Sequence, residues 1–589
     1  MKSRLYMPIL AVLLFAAVLI ALSNLDSDVE TLLKAGINQK KPAIVVNQVG
    51  YLPQWQKKAF LRRSTAFSSE QNIKSATELI DQDTKEVLIE IANTPEAVDL
   101  TTQDGVTVID FSSVTKPGTY YLQKGKLKSL PFAIGQDIYQ EPLKTMIRSY
   151  YLQRCGVELD DPITGISHAP CHLKDGVIAR QDKYHNSDEL LAAIGGWHDT
   201  GAYSKYVATT TVAIARLLNL YEQNPNFFPD NQLDIPESGN GRSDLLDEMQ
   251  FGLDWLLKMQ REDGAVYRKL SGKTWPVNKG PLEDEQPRYI YGISTPETAK
   301  FAAVMAIASR NWQSVDTQTA AKYLAAAESA WQYLQNQPTI SIDQQPEDNS
   351  GSDSFLADEF NTEASLNTDL DDRLWAAAEL AVTTGKAEFN DYFARNLDQV
   401  EYTLFEWKNP APLGLVDYLE LNSQSLDKEL QAKIQTKIQA RAEVILAEVN
   451  QSTYNIANNR FIWGSNKMTA EEGITLIQAY KQTKNIDYLN AAIDQLDYLL
   501  GRNHFNQTFL TGIGANPVQN LSNLYARAKK IAFPGLMVGG ANASSHDGMV
   551  LRNRGQLSYI DDEKSYVTNA NMIDYNASII SLIVQLLNI

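Results

Sequence analysis

The hydrophobic period of this chain changes once, near residue 137, and that change limits the folds open to it. From about 43 to 136 apolar residues alternate with polar ones in short runs such as Val87-Leu88-Ile89-Glu90-Ile91, Val106 to Phe111 and Thr119-Tyr120-Tyr121-Leu122. Asp104-Gly105 and Pro117-Gly118 punctuate those runs as turns, so the segment predicts a small antiparallel β-sandwich. From Gln140 onward the spacing is three and four: Leu143, Met146, Ile147, Tyr150 and Tyr151 begin a pattern that recurs through Val207–Leu220, Leu245–Met259, Ala299–Ile307, Ala320–Leu334, Leu374–Thr383, Ile434–Val449, Gly473–Tyr480 and Leu489–Leu500. Thr295-Pro296 reads as an N-cap with proline at the first helical position. About a dozen helices without intervening strands predict an all-α toroid of paired helices over 140–589.

Length and charge narrow the function. A chain of 589 residues can bury a large core in two domains. Its net charge is −18, and its basic residues do not cluster beyond Lys40-Lys41 and Lys529-Lys530, which argues against capture of nucleic acid. At the N-terminus, Lys2 and Arg4 precede the apolar run Met7–Leu22, then polar Ser23-Asn24 and acidic Asp26–Glu30. Residues 1–30 therefore read as an export signal, with Ala21 and Ser23 as small residues for cleavage, or as an anchor retained through residues 5–22. Either way the expected location is outside the cytoplasm: periplasm, cell surface or medium.

The only cysteines are Cys155 and Cys171. In an exported protein one reading is a disulfide. Cys171 is followed by His172, however, and His198 lies in Trp197-His198-Asp199. Two thiolates and two imidazoles make the closed donor set of a structural Zn²⁺. His168 is assigned no ligand role. Glu237, Asn240, Asp244 and Asp247 could suit Ca²⁺, and helix capping explains them equally well.

Two segments carry a family resemblance. Gly195-Gly196-Trp197-His198-Asp199-Thr200-Gly201-Ala202 resembles the water-activating loop of the family 9 glycoside hydrolases, Gly-Gly-Trp-x-Asp-Ala-Gly-Asp. Asn569-Ala570-Asn571-Met572-Ile573-Asp574-Tyr575-Asn576-Ala577 resembles that family's acid loop, Asn-Glu followed by an acidic or amide residue, an aromatic, Asn and Ala. Asp244–Glu248, Gly252–Gln260, Ser294-Thr295-Pro296, Asp372–Leu380 and Trp463-Gly464-Ser465-Asn466 are similar to further segments of the family, and Asn47–Pro53 to the opening of its N-terminal domain. The resemblance implies an N-terminal immunoglobulin-like β-sandwich followed by an (α/α)6 barrel acting on a polysaccharide of β-glucan type. It also implies zinc at Cys155, Cys171, His172 and His198.

The same resemblance places the general base at Ala202 and the general acid at Ala570. Inverting hydrolysis needs one carboxylic acid on the leaving oxygen and one carboxylate on the water, and alanine supplies neither. Where the family grips the sugar with Pro-His-His-Arg after Asn-Pro, this chain continues from Asn516-Pro517-Val518 into Gln519-Asn520-Leu521-Ser522-Asn523-Leu524. Asp199, which the resemblance makes a water-holding carboxylate, and the aromatics Tyr575 and Trp463 remain as site residues. Asp547 and Asp561-Asp562-Glu563 lie near the acid loop and read as solvated or structural. The expectation is an exported polysaccharide binder with lost or much reduced hydrolysis. The alternatives are an active inverting glycosidase of altered specificity, using Asp199 and another carboxylate, or a scaffold without a sugar ligand.

Overall fold

The computed structural model describes residues 43–64, 75–92, 94–345, 348, 366–421 and 428–589. The proposed leader, 1–30, lies outside them. Among the described residues ten short strands build the first domain: β1 (Ala43–Val45), β2 (Gly50–Tyr51), β3 (Lys58–Ser64), β4 (Thr77–Asp81), β5 (Val87–Ile91), β6 (Glu96–Val98), β7 (Asp104–Asp110), β8 (Gly118–Lys124), β9 (Leu127–Lys128) and β10 (Phe132–Ile134). One sheet runs β1-β3-β7-β6 and the other β2-β10-β8-β4-β5, with β9 beside β8; pairing is antiparallel except for β2 with β10. The inward positions of the alternating runs, among them Ile44, Leu61, Leu79, Ile109, Tyr120, Leu122 and Phe132, meet as one buried core between the sheets.

Twelve helices of nine or more residues follow among the described residues. They are α1 (Gln140–Arg148), α2 (Val207–Gln223), α3 (Asp244–Lys258), α4 (Thr295–Trp312), α5 (Thr317–Asn336), α6 (Leu370–Thr384), α7 (Ala387–Asn396), α8 (Ala411–Leu421), α9 (Lys428–Gln451), α10 (Ser465–Thr483), α11 (Ile486–Leu499) and α12 (Ile573–Leu587). Burial separates them into two rings. In α2, α4, α6, α8, α10 and α12 nearly every residue away from the last turn is buried, whatever face it occupies. Helices α5, α7 and α9 bury one stripe only, such as Leu430, Ile434, Ile438, Ala442, Ile445 and Val449 in α9. A helix apolar all round belongs inside, and an amphipathic one covers it. The inner ring closes because α12 packs on α2 as well as on α10. This is the (α/α)6 barrel.

Two local expectations are corrected. The cap of α4 is Ser294, one residue before Thr295: Ser294 is extended, and its hydroxyl accepts the Glu297 N–H at 3.2 Å, with Glu297 placed as in a capping box. The helical region also contains strands. Val266–Ser271 and Tyr289–Ser294 form an antiparallel hairpin, flanked by Lys205–Tyr206 and Val177–Ile178. Arg268 and Lys269 break the apolar pattern of the first of these strands, yet both are buried, because the distant Asp348 supplies a carboxylate to Arg268 and a carbonyl to Lys269.

The two domains are joined by buried polar contacts. Asn47 donates to Asp497 at 2.9 Å, the Gln48 N–H donates to the Leu500 carbonyl, and Gln48 also bonds Asn506 and Asn516. Farther along, Asp104 of β7 meets His504 and Tyr454, while Arg62 donates to the His504 carbonyl. The sandwich is thereby tied to the loops after α9 and α11. Among the described residues no helix is long and apolar enough to cross a membrane.

Candidate functional site

A cavity of about 270 Å³ opens at the N-terminal end of the inner ring. Its walls come from residues at or just before the first turns of four inner helices: Thr200, Tyr206 and Thr209 at α2, Glu406-Trp407-Lys408 before α8, Trp463, Gly464, Lys467 and Met468 at α10, and Ala570, Met572, Asp574 and Tyr575 at α12. The strand hairpin contributes Arg268 and Lys269, and the loop between its two strands contributes Trp275. Trp463 and Tyr575, paired by the sequence reading, line the same cavity as Ala570. Trp463 is half-buried, 5.9 Å from the Tyr566 ring centre and 5.4 Å from that of His546. Tyr575 is buried against the backbone of Gly464, where φ is +74° and an added Cβ would lie 3.0 Å from the ring.

The loop 199–202 has an unusual backbone. Thr200 and Gly201 both have left-handed φ, +61° and +69°, a costly state for β-branched threonine. Asp199 holds the turn together: one carboxylate oxygen accepts the Thr200 N–H at 2.7 Å and the Ile573 N–H at 3.2 Å, and the other accepts the Thr209 hydroxyl. Asp199 has no exposed surface and does not line the cavity. Its burial, reinforced by the Asp574 charge, pushes its carboxyl up to about 7.

Ala202 and Ala570 have different surroundings. Ala570 is half-exposed on the cavity wall, whereas Ala202 is 5 % exposed and not part of that wall. The segment 519–524 straps the loops at 201 and 569–571 together. Leu524 donates its N–H to the Gly201 carbonyl at 2.6 Å, and Ser522 donates to the Asn569 carbonyl at 2.9 Å. The Asn569 side chain bonds the Asn520 carbonyl, and that of Asn523 bonds Asn571. The fit is tight enough that a Cβ on Gly201 would come within 2.4 Å of the Ser522 carbonyl oxygen.

Among the described residues three carboxylates reach the cavity, none of them singled out as a site residue from the sequence: Asp348, Glu406 and Asp574. Asp348 is held by Arg180 and Arg268, and Asp574 by Lys467 at 2.7 Å. The half-buried Glu406 carboxyl makes no hydrogen bond to the described residues; burial raises its pKa, and Lys467, Lys408 and Arg460 only partly offset that. Asp547 instead caps Ser565 and Met549, and Asp561 bonds Gln507, Gln519, Asn520 and Asn569, as expected of structural loop carboxylates.

Beneath the water loop, Cys155, Cys171, His172 and His198 converge. Their donor atoms lie within 4.8 Å of one another. The two Sγ atoms are 4.0 Å apart, so the cysteines are free thiols and not a disulfide. Cys155 Sγ is 3.6 Å from His172 Nδ1, Cys171 Sγ 3.7 Å from His198 Nε2, and the two imidazole nitrogens are 3.3 Å apart. The other nitrogen of His172 faces Asp284 at 3.5 Å, the arrangement that orients a metal-binding imidazole. A hydrogen bond with Cys155, aided by the Arg288 and Lys205 charges, brings the Cys171 thiol down to about 7, and burial brings His198 down to about 4. Both shifts favour the protonation states that bind metal. His168 turns to the Ala169 carbonyl and takes no part. At the suggested calcium residues, Glu237 pairs with Arg154, Asp247 with Arg242 and Asn240, and Asp244 accepts from Asn231, Leu233 and Ser238. Protein groups already satisfy these carboxylates.

An immunoglobulin-like sandwich docked on an (α/α)6 barrel, with an aromatic cavity at the inner helix N-termini, defines a glycoside-hydrolase type of scaffold. The chain belongs to glycosyl hydrolase family 9: residues 139–583 match that family and residues 39–129 match the cellulase N-terminal ig-like domain. It is 31% identical over 563 residues to Endoglucanase D of Acetivibrio thermocellus, covering 92% of this chain and 83% of that protein. It is 30% identical to a xyloglucan-specific endo-beta-1,4-glucanase of Bacteroides ovatus, over 81% of this chain and 83% of the relative. The crystal structure of a metagenome-derived family 9 endoglucanase superposes with a TM-score of 0.87 at 40% identity, covering 93% of this chain and 99% of the other. A Zn-binding triple mutant of the family 9 endoglucanase J30 superposes with a TM-score of 0.83 at 32% identity, over 91% and 99% of the two chains.

Proposed function

We propose that this chain is an exported family 9 protein that binds a polysaccharide of β-glucan type and has lost all or most of its hydrolytic power. The observation that carries the reading is the pair of methyl groups at Ala202 and Ala570. Without a carboxyl at either place, no group in those positions protonates the leaving oxygen or takes the proton of the attacking water. Asp199 is a poor replacement base because both of its oxygens are engaged and solvent does not reach it. Tyr575 and Trp463, with Trp275 and Trp407 on the same walls, offer the flat apolar faces on which sugar rings stack. The names of the relatives, an endoglucanase and a xyloglucan-specific glucanase, support a β-glucan type of ligand. Export rests on the leader-like residues 1–30.

Zinc is the proposed metal. Bonds of about 2.3 Å to sulfur and about 2.0–2.1 Å to nitrogen in a tetrahedron require S···S near 3.8 Å, S···N near 3.6 Å and N···N near 3.4 Å. The four donors stand 4.0, 3.6, 3.7 and 3.3 Å apart along the corresponding edges, so the set fits a closed site with no open position. Such an ion supplies rigidity, since it would fix His198, and with it the strained Asp199-Thr200-Gly201 turn, to the Cys155 and Cys171 segments.

Glu406 favours a second reading, residual hydrolysis of altered specificity. It is the cavity carboxyl with no hydrogen-bond partner among the described residues, and its raised pKa suits a proton donor. The deciding experiment incubates purified protein with cellulose, mixed-linkage β-glucan and xyloglucan, following binding and reducing-end release together. Binding without release is expected. Release abolished by Glu406→Gln would establish the second reading, and absence of both binding and release would refute the glycan assignment.

A further inference from the structure

Gln286 lies in the loop 272–288 between the two hairpin strands, and every donor and acceptor of its side-chain amide is used. Nε2 donates to Asp284 Oδ1 at 2.8 Å and to the Thr274 carbonyl at 2.9 Å. Oε1 accepts the Thr274 N–H and the Thr274 hydroxyl, both at 3.1 Å. Two hydrogens and two lone pairs are all that a side-chain amide has, so its plane is fixed. Gly272 makes room for it: a Cβ there would fall 2.2 Å from the Gln286 amide carbon.

The two partners of this amide belong to different sites. Asp284 is buried, and while Oδ1 takes the Gln286 amide, Oδ2 faces His172 Nε2 at 3.5 Å. His172 turns its other nitrogen to Cys155 Sγ among the four converging donors, so Asp284 orients an imidazole of the proposed zinc set. Thr274 leads the other way. The next residue is Trp275, half-buried on the cavity wall with its ring centre 6.5 Å from that of Tyr566. Imidazole, carboxylate, amide and the backbone of residue 274 thus form one continuous series of contacts from His172 to Trp275. The loop meets the Cys/His cluster once more at Tyr203, whose ring centre lies 5.0 Å from that of His198 and 5.4 Å from that of His172, and whose hydroxyl donates to the Lys279 carbonyl at 2.7 Å. That bond anchors the loop beyond Trp275, whereas Gln286 holds the backbone directly before it.

Resting on the zinc and glycan-binding readings above, we propose that Gln286 is a positioning residue that ties the orientation of Trp275, and with it the grip of the cavity on its ligand, to metal occupancy of Cys155, Cys171, His172 and His198. Ligation through Nδ1 fixes the His172 ring, Asp284 is held against its other nitrogen, and the Gln286 amide carries that constraint to the 274–275 backbone. Loss of the ion frees the ring, and the series slackens from that end.

The test is fluorine NMR of the full chain labelled with 5-fluorotryptophan, the Trp275 signal being assigned by Trp275→Phe, with calorimetric titration of cellohexaose alongside. In zinc-loaded protein two variants are compared with the parent: Gln286→Leu, of similar volume without the amide, and Gln286→Glu, which sets a carboxylate against Asp284. Each is expected to shift or broaden the Trp275 signal, to leave the other indole signals in place, and to weaken cellohexaose between about twofold and tenfold, the scale of one oriented aromatic contact. Elemental analysis should still find about one zinc per chain. Chelation of zinc from the parent should move the same signal, and chelation from Gln286→Leu should move it much less, because the two perturbations act on one series of contacts. An unchanged Trp275 signal in both variants overturns the inference, as does an equal response of that signal to chelation in parent and variant while the other indole signals stay in place. Failure of the parent to bind cellohexaose would refute the glycan reading, and the fluorine signals would still decide the link from His172 to Trp275. Protein that takes up no zinc refutes the zinc reading and this inference together.

Discussion

Placing carboxyls at both alanines, Ala202→Asp with Ala570→Glu, perturbs the two loops unequally. Ala570 is half-exposed on the cavity wall, so Glu there finds solvent and should change stability by less than about 1 kcal/mol. Ala202 is 5 % exposed beside a strap whose Leu524 N–H bonds the Gly201 carbonyl at 2.6 Å. An Asp there brings a carboxylate near Asp199, whose own carboxyl burial already pushes up to about 7. A buried charge without a partner costs about 3–5 kcal/mol, so Ala202→Asp should lower the unfolding temperature by several degrees. In rate, a positioned acid and a positioned base contribute about 10²–10⁴ each. That gain should fail to appear in the double variant, because strap residues 520–524 hold the loops of base and acid together. It should appear only when 519–524 is also replaced by a sugar-gripping Pro-His-His-Arg segment. The assay is reducing-end release from cellohexaose, with differential scanning calorimetry on each variant. Cleavage by the double variant at more than about 10² times the parent rate, with the strap intact, would refute the argument that the strap closes the base position.

Three further outcomes follow from the buried polar groups. Purified protein should carry about one zinc per chain by elemental analysis, and Cys171→Ser should abolish it and cost several kcal/mol of stability; metal-free protein of equal stability, or a Cys155–Cys171 disulfide in its mass spectrum, would contradict the site. At the domain junction, burial tends to raise the Asp104 pKa, but hydrogen bonds from His504 and Tyr454 and the Arg62 charge outweigh it and leave the carboxyl below its ordinary value. A depressed carboxyl adds stability that is complete above its unfolded value of about 3.9 and lost as pH falls through the folded one, so Asp104→Asn should flatten the acid limb of the unfolding curve and expose the sandwich to proteolysis; identical acid profiles would count against it. Burial pushes Glu472 the opposite way, up to about 8. Its stability is complete below about 4.3 and declines as pH rises toward 8, so Glu472→Gln should stabilise at pH 8 by at most about 5 kcal/mol and do nothing at pH 4, measured by urea titration.

What could be read from sequence here was whatever lies in one continuous stretch. The change of period separates sandwich from barrel because each strand or helix writes its own spacing, and the inner helices are marked by apolar residues on every face. Ala202 and Ala570 stand out because each sits inside an unbroken motif. The Val266–Ser271 strand was missed because Arg268 and Lys269 look solvent-facing until Asp348, about 80 residues on, is brought to them. Glu406 and Lys408 flank Trp407 in what reads as an ordinary polar loop; only closure of the helical ring brings that loop to the same cavity as Ala570. Lys467 did carry a local signal, a lysine in a helix otherwise buried all round, and a buried lysine requires a partner such as Asp574. The alanines at 202 and 570 are therefore local and legible, while the bonds of the 519–524 strap and the lining of the cavity are assembled from segments up to several hundred residues apart.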